Sequence, residues 1–237
     1  MQEIERSTDQ GIPMMVVTAN PEIVLEASKN PGYWNALRQA DVRLVDGFGL
    51  QCAGWFAGAA PVRVTGVEFA ERLLQYAVVH DRKVALIGGE DGVAESAAWN
   101  MRKAYPSIRL VAEQGGIVTH DGIDDEAGEE ARFRLTAEAP DILFVAFGHP
   151  KQERWIVNHL AEFPSVKIVV GIGGTLDYWS QRIQRAPRWM RFLGLEWLWR
   201  FVLEPKRWKR IWNAVFVFPV RVCIERFHLP ASSHTEK

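Results

Sequence analysis

Six short runs of apolar residues recur along the chain, and most of them are followed by a stretch with helical spacing. The runs do not alternate between polar and apolar residues, which is typical of parallel strands covered on both faces. Strands that alternate with helices in this way predict an α/β fold with a doubly wound, mostly parallel, Rossmann-like sheet. The predicted strands are residues 14–17, 42–45, 83–88, 108–112, 142–147 and 167–172, and the predicted helices are residues 21–39, 66–79, 91–104, 124–138 and 150–161.

The overall composition is that of an ordinary folded protein of 237 residues, with 48% hydrophobic and 24% charged residues. The net charge of -1 gives no general attraction to nucleic acid. The start, MQEIERSTDQGIP, has no apolar core of a signal peptide, and no apolar run reaches the roughly 18 residues of a membrane span. With only two cysteines, the chain has no disulfide framework. These features predict a cytoplasmic protein that binds no nucleic acid.

Basic residues and tryptophans concentrate towards the C-terminal end. Seven of the ten tryptophans lie within residues 155–212, and residues 181–210 contain nine Lys or Arg but two Glu. We predict two helices here, one over about residues 187–203 and one that starts at Pro205 with Glu204 as its cap. The second carries aromatic and aliphatic residues at helical spacing beside basic residues. This pattern is typical of a helix in a membrane interface, but an ordinary helical hairpin packed on the sheet explains it equally well.

Polar or glycine residues follow four of the predicted strands. Each segment has a simple structural explanation: Thr18 or Asn20 as a helix cap, Asp46 in a turn, and the glycines near residue 173 in close packing. Because the carboxyl ends of parallel strands meet at one edge of a sheet, the four segments together favour a binding site. They are residues 18–20, 46–49, 148–153 and 171–177.

Several common motifs are missing from the sequence. We find no dinucleotide-binding GxGxxG, no GxxxxGK[ST] phosphate loop, no GxSxG nucleophile turn, no zinc spacing and no DxD metal motif. The nearest acidic cluster, DGIDD at residues 121–125, is interpreted as a solvated loop and a helix cap. The sequence therefore predicts no nicotinamide cofactor and no metal site.

Seven segments occur along the chain in the order TANPEIVLEA, VDGFGL, RVTGVEFAERLL, GHPKQERW, GIGGTLD, RAPRW and LEWLWRFVLEPKRWKR. In this order they resemble the WecG/TagA/CpsF glycosyltransferases, bacterial enzymes of teichoic acid, enterobacterial common antigen, capsule and exopolysaccharide synthesis. The resemblance covers about residues 13–210, and its GxPKQE and EWLxRxxxEPxR segments are highly specific in combination.

This resemblance implies that a sugar is transferred, with inversion, from a UDP donor to a polyprenyl-diphosphate-linked saccharide, without an essential metal or other cofactor. Donor sugars of the N-acetylmannosamine, N-acetylmannosaminuronic acid, glucose, galactose and glucuronic acid types all occur among relatives. Asp46 matches the aspartate proposed as the catalytic base. The residues that match substrate-binding positions are Thr18, Asn20, Arg63, Gln152, Arg200, Arg207 and Arg210.

The resemblance also implies a division of the chain. Residues 1–186 would form the α/β sugar-nucleotide-binding domain, residues 187–228 a basic, tryptophan-rich helical appendage that associates with the membrane, and residues 229–237 a disordered tail. We expect a peripheral protein on the inner face of the cytoplasmic membrane, with anionic lipid as a partner, and formation of a homo-oligomer stays open. The alternative is a non-catalytic, membrane-associated nucleotide-sugar-binding protein, which would not require Asp46 or Gln152.

The region around Gln152 is expected to meet the donor. A helix that starts at Pro150 would direct its amino end and the Gln152 amide towards an anionic diphosphate. Glu153 would repel a phosphate, so we expect it to point away and to pair with Arg154 or Lys151.

The chain departs from the family pattern in three places. Relatives usually carry an extra strand and most of a helix before the first matched segment, whereas this chain starts near the end of that helix, which leaves open whether the N-terminus is truncated. Gln181 stands where a glycine is common, and Leu176 replaces a usual aromatic residue. We expect both of these changes to reshape the donor pocket.

Overall fold

All six predicted strands pair into one parallel sheet. The computed structural model describes residues 13–228, apart from the side chains of Arg207 and residues 225–228. Its spatial strand order is β2-β1-β6-β5-β3-β4, and every neighbouring pair is parallel. The predicted α/β fold is therefore confirmed. The strands are β1 Met14–Ala19, β2 Val42–Val45, β3 Lys83–Gly88, β4 Arg109–Glu113, β5 Ile142–Ala146 and β6 Ile168–Gly171.

Helices fill the intervals between the strands and form the C-terminal segment. The helices before that segment are α1 Pro21–Ala27, α2 Pro31–Arg38, α3 Phe48–Phe56, α4 Gly66–Val79, α5 Val93–Ala104, α6 Glu126–Ala137, α7 Lys151–His159 and α8 Thr175–Trp179. A 3-10 turn at Leu160–Glu162 extends α7. The C-terminal segment consists of α9 Arg188–Phe192, α10 Glu196–Leu203, a 3-10 turn at Pro205–Arg207, α11 Trp208–Trp212, a π-helical turn at Asn213–Val217 and α12 Phe218–His228.

Two hydrophobic cores lie on opposite faces of the sheet. Leu86 and Phe144 face one core with α4, α5 and α8, whereas the following residues, Ile87 and Val145, face the other core with α1, α2, α6 and α7. All four side chains are fully buried. Because successive side chains of a strand point to opposite faces, burial on both faces requires continuous apolar runs, which explains why these strands were recognisable in the sequence.

The pairing of β1 with β6 at the middle of the sheet brings the two ends of the α/β region together. Met14 lies beside Ile168 and Val16 beside Val170. The loops that follow these strands therefore start side by side. The Thr18 hydroxyl, at the end of β1, lies 3.5 Å from the carbonyl oxygen of Gly171 as a long hydrogen bond.

The helices differ from the prediction at three points. The predicted helix over residues 21–39 is divided, because Asn30 caps a new helix by accepting from the Tyr33 amide at 3.1 Å and Pro31 occupies its first turn. The helices α3 and α8 were not predicted. The predicted helix over residues 187–203 is interrupted at Gly194, whose φ of +73° is compatible with glycine but ends a helix.

The C-terminal segment starts its last helical stretch at Pro205, as predicted, but Glu204 makes no capping hydrogen bond through its side chain. It lies 3.7 Å from Arg200 instead. None of the described helices is both long and apolar enough to cross a membrane. The predicted boundaries at residues 186 and 228 stay a prediction, and the predicted tail at residues 229–237 lies outside the described residues.

Candidate active site

A cavity of about 1060 Å³ lies at the edge of the sheet where the strands end. The loops that follow the strands form its floor, and the C-terminal helices form part of its wall. Every predicted site residue with a described side chain lines this cavity, and the side chain of Arg207 lies outside the described part of the structure. The residues brought together are Thr18, Asn20, Asp46, Arg63, Gln152, Arg200 and Arg210.

Asn20, which follows β1, both caps a helix and lines the cavity. Its side-chain oxygen accepts a hydrogen bond from the Ile23 amide at 3.0 Å, so it caps α1, as the simpler explanation predicted. It also lines the cavity together with Thr18. The cap fixes the Asn20 side chain at the cavity rim.

Asp46 follows β2 directly and lies at the amino end of α4. Its Oδ2 atom accepts a hydrogen bond from the Gly66 amide at 3.1 Å, and its own amide donates to the Ala19 carbonyl at 2.7 Å. Its Oδ1 atom has no hydrogen-bond partner among the described residues. Burial raises the pKa of Asp46 to about 6, because the Gly66 amide and the positive charge of Arg63 offset the loss of solvation only in part. A carboxylate with this pKa is a better proton acceptor near neutral pH than an ordinary aspartate.

Arg63 connects the end of β2 to the C-terminal segment. Its backbone forms a bridge with Val45, and its Nη2 atom donates a hydrogen bond to the Arg191 carbonyl at 3.0 Å. The guanidinium is therefore tied to the carbonyl group of α9 while its charge acts on Asp46.

Gln152 and Glu153 form a buried chain of hydrogen bonds beneath the cavity. Gln152 is 4% exposed and Glu153 is 1% exposed. The Gln152 Oε1 atom accepts from the Gly173 amide at 3.1 Å, and its Nε2 atom donates to Glu153 Oε1 at 2.8 Å. The Tyr33 hydroxyl donates to Glu153 Oε2 at 3.0 Å. Gln152 thus holds the loop after β6, which leaves one of its amide hydrogens for a ligand.

The Glu153 side chain points away from the cavity, as expected, but the predicted pairing was wrong. It bonds to Gln152 and Tyr33 rather than to Lys151 or Arg154. Arg154 instead contacts Asp121 at 2.8 Å and the Asn30 side chain at 2.8 Å. Burial raises the pKa of Glu153, although the two donated hydrogen bonds favour its charged form.

The start of α7 provides fewer free amides than its sequence suggests. Pro150 is the cap of this helix rather than its first residue, and it follows a cis peptide bond with His149. The Gln152 amide donates to the Gly148 carbonyl at 2.9 Å, and the Arg154 amide donates to the Pro150 carbonyl at 3.4 Å. An anion at this position would therefore rely mainly on side-chain donors.

Arg200 contacts the loop after β6 from the C-terminal segment. Its Nε atom donates to the Tyr178 hydroxyl at 2.7 Å, its Nη2 atom donates to the Gly174 carbonyl at 3.2 Å, and its guanidinium lies 4.6 Å from the centre of the Tyr178 ring. These contacts hold a positive charge at the cavity wall.

Arg210, in α11, contacts residues that follow β1 and β5 at the cavity. Its Nε and Nη2 atoms lie 2.8 and 2.6 Å from Glu22 Oε2, and Nη2 lies 3.3 Å from the His149 ring. The C-terminal segment is therefore tied to α1 and to the loop after β5 by charged contacts. This arrangement places Arg200 and Arg210 on separate helices around one cavity.

Several lining residues were missed in the sequence. Thr65 caps α4 by accepting from the Glu68 amide at 3.2 Å, and the TGVE pattern is a recognisable helix-start signal that indicates this cap. Tyr178 gave no comparable signal, because its partner Arg200 is distant in sequence.

Leu176 and Gln181, where the chain departs from the family pattern, differ in their position relative to the cavity. Leu176 is 1% exposed and lines the cavity, and the change it is expected to make in the donor pocket stays a prediction. Gln181 does not line the cavity and has a φ of +63°, in the left-handed region that favours glycine. This backbone conformation explains a glycine at this position, and the expected effect of Gln181 on the donor pocket stays a prediction.

Among the described residues, no group of three or more His, Cys, Asp or Glu side chains is arranged to hold a metal ion. In the acidic cluster, Asp125 caps α6 by accepting from the Gly128 amide at 3.0 Å, as predicted. Asp124 is not solvated, since it accepts from Arg132 and from the Trp155 ring, each at 3.1 Å.

Comparison with known proteins gives a match along nearly the whole chain. The profile of the "Glycosyl transferase WecG/TagA/CpsF family" matches residues 1–232. The chain is 34% identical over 199 residues to N-acetylglucosaminyldiphosphoundecaprenol N-acetyl-beta-D-mannosaminyltransferase from Staphylococcus aureus strain MRSA252, a match that covers 84% of this chain and 74% of that protein. The protein of the same name from strain NCTC 8325 / PS 47 matches with the same identity and coverage.

The buried Glu153 generates a prediction about stability. Its folded-state pKa is raised, so the folded protein holds the proton more tightly than the unfolded chain. The stability that Glu153 contributes is therefore highest at low pH and falls as the pH rises from the ordinary glutamate pKa towards the raised one. Denaturant unfolding of the wild type and of Glu153→Gln at a series of pH values should show the free energy of unfolding of the wild type falling relative to the variant over this range.

The control for this prediction is Glu95→Gln, which changes an exposed glutamate on α5. Its unfolding free energy should follow that of the wild type at every pH. If Glu153→Gln also runs parallel to the wild type, the carboxyl of Glu153 does not have a raised pKa.

Proposed function

The chain belongs to the WecG/TagA/CpsF glycosyltransferase family, and we propose that it transfers a sugar, with inversion, from a UDP donor to a saccharide linked through diphosphate to a polyprenyl lipid. The observation that carries this proposal is the position of Asp46, a carboxylate with a pKa of about 6 in the same cavity as three arginines. A proton acceptor and fixed positive charges are the two requirements for replacing a nucleotide diphosphate by a hydroxyl group.

The donor and acceptor are proposed from the relatives. Their names specify transfer of N-acetyl-β-D-mannosamine to N-acetylglucosaminyl-diphosphoundecaprenol, and they share 34% of 199 aligned residues with this chain. We therefore propose UDP-N-acetylmannosamine as the donor and this lipid-linked sugar as the acceptor. A panel that also contains the N-acetylmannosaminuronic acid, glucose, galactose and glucuronic acid donors would identify the sugar.

In this mechanism, Asp46 accepts the proton of the acceptor hydroxyl through Oδ1, while the Gly66 amide holds Oδ2. The hydroxyl oxygen forms a bond to the anomeric carbon on one face, and the bond from that carbon to the UDP oxygen breaks on the opposite face. The leaving diphosphate gains negative charge, which Arg200, Arg207 and Arg210 would stabilise. Thr18, Asn20, Arg63 and Gln152 complete the proposed substrate contacts.

The C-terminal segment would bring this site to the membrane. Its last helices carry an exposed apolar stripe at four-residue spacing, the outer stripe, in which each side chain is between 51% and 58% exposed. The exposed Lys206 and Lys209 lie beside it, with the Lys209 ammonium over the Trp208 ring, and each basic residue near an anionic leaflet contributes about 1 kcal/mol. These features support peripheral docking on the inner leaflet. The outer stripe consists of Trp208, Trp212, Phe216, Val220 and Ile224.

The proposed base is tested by Asp46→Asn. Loss of a positioned base should lower kcat by about 10²–10⁴-fold, while UDP binding measured by calorimetry stays unchanged. The wild-type kcat/KM should also fall about tenfold per pH unit below a pH of about 6, because the reaction needs the ionised carboxylate. Asp81→Asn, at an exposed position far from the cavity, is the matched control. Wild-type turnover in Asp46→Asn would remove this residue from the mechanism.

Independence of a metal ion is also a prediction. Neither the sequence motifs nor the described side chains provide a set of ligands for a divalent cation. Transfer should therefore persist when EDTA is added to the assay. Complete loss of transfer that magnesium or manganese restores would be incompatible with the proposed mechanism.

Membrane docking is tested by replacing Trp212 and Phe216 with Gln. Removing these two aromatic side chains from the outer stripe should weaken sedimentation with anionic vesicles at least about tenfold, because each buried aromatic side chain contributes about 1.5–3 kcal/mol. Transfer to a water-soluble acceptor should be unaffected. Trp99→Gln, on an exposed tryptophan of α5, serves as the control. Unchanged vesicle binding in the double variant would show that the membrane meets another surface.

A further inference from the structure

The cavity has an apolar arm that the transfer reaction does not use. The arm lies between α3 and the helices that run from Trp208 to His228. Apart from Arg210, no charged residue of either wall lines it among the described side chains, although the rest of the cavity is rich in polar groups. One wall consists of Phe48, Gly49, Cys52, Ala53 and Phe56, and the other of Ile211, Ala214, Val215, Phe218, Pro219, Val222 and Cys223.

One wall is a face of α3, and the other is a face of the continuous helical stretch formed by α11, the π-helical turn and α12. Residues 48–49, 52–53 and 56 recur every three or four positions along α3, as do residues 211, 214–215, 218–219 and 222–223 on the opposite side. The second set is separate from the outer stripe. Phe218 is 3% exposed, whereas Trp212 and Phe216 are more than half exposed. The last helices therefore present two apolar faces, one to the cavity and one to the surroundings.

The arm starts at the candidate base. The helix α3 begins two residues after Asp46 and has nine residues, so it extends about 13 Å from the reaction site. At Gly49 the two walls come close, since an added Cβ would lie 3.7 Å from the Ala214 carbonyl oxygen. At the far end, Phe56 and Cys223 are exposed. A narrow passage with mainly apolar walls that leads from the site to the surface fits a hydrocarbon chain better than a sugar or a nucleotide.

We infer that this apolar arm binds the first isoprene units of the acceptor lipid, while its diphosphate stays in the polar part of the cavity. The inference rests on the proposed function, because that function supplies an acceptor in which the sugar, the diphosphate and a prenyl chain follow one another. The protein likewise has a polar part of the cavity, which contains Asp46, and an apolar arm that leads from it to the surface. The outer stripe then contacts the bilayer while the arm holds the tail of a single lipid.

The tail length of the acceptor tests this inference without a bilayer. N-acetylglucosaminyl diphosphates with one, two or three isoprene units would be compared as acceptors below their micelle-forming concentrations. A methylene group that leaves water raises affinity about fourfold. The KM of the wild type should therefore fall at least about fourfold with each added unit, while kcat changes little.

The variant Ala53→Phe fills the arm and should remove this dependence, so that all three acceptors have the KM of the shortest one. Ala57→Phe, one turn further on and outside the cavity lining, should keep it. A wild-type KM that does not depend on tail length, or a dependence that appears only in vesicles, would overturn the inference and leave the proposed transfer intact. No transfer to any acceptor, including undecaprenyl acceptor in vesicles, would overturn the proposed function itself.

The cysteines provide a second measurement that needs no turnover and no variant. Cys52 and Cys223 are the two cysteines of the chain, and they lie on opposite walls of the arm. Maleimide labelling followed by mass spectrometry should be slowed by the three-isoprene acceptor, at both thiols, several-fold more than by the same diphosphate without a tail. Equal protection by both compounds would show that the tail does not enter the arm.

Discussion

A buried carboxylate holds the floor of the cavity together. Glu153 accepts hydrogen bonds from Tyr33 in α2 and from Gln152 in α7, and Gln152 accepts one from Gly173 after β6. Leaving a buried polar group without its hydrogen-bond partner is costly, so these bonds fix the three elements relative to one another. The loop after β6 in turn provides the Gly174 carbonyl that Arg200 binds. The position of the C-terminal segment at the cavity therefore depends on contacts that begin beneath it.

The sheet could be predicted because its strands are buried on both faces. The six apolar runs coincide with β1–β6 to within two residues, and their continuity is the signal that distinguishes them from surface strands. The helix α3 was not predictable in this way, because FGLQCAGWF is apolar almost throughout and shows no polar face. The interruption at Gly194 was also missed, since a single glycine in a helical pattern does not reveal its backbone conformation.

The sequence was sufficient to predict which residues line the cavity, but not which hydrogen bonds they form. Parallel strands place Thr18, Asp46 and Gln152 at one edge, so the pattern of strand ends is sufficient to group them. Their hydrogen bonds connect residues that are far apart in the chain: Tyr33 lies 120 positions from Glu153, and Glu22 lies 188 positions from Arg210. No local pattern contains such pairs, which is why Glu153 was assigned the wrong partners. The roles of the site residues in catalysis stay predictions.

In the proposed mechanism, a single displacement with Asp46 as the base on one face of the sugar and the leaving diphosphate on the other would determine the stereochemistry of the product. The most direct measurement is the one-bond carbon–hydrogen coupling at the new anomeric carbon, obtained by NMR from UDP-N-acetylmannosamine, whose anomeric bond is α, and a short-tailed N-acetylglucosaminyl diphosphate. The proposed mechanism predicts a β-linked disaccharide and one UDP released for each linkage formed. An α-linked product, or release of UDP without a new linkage, would contradict it.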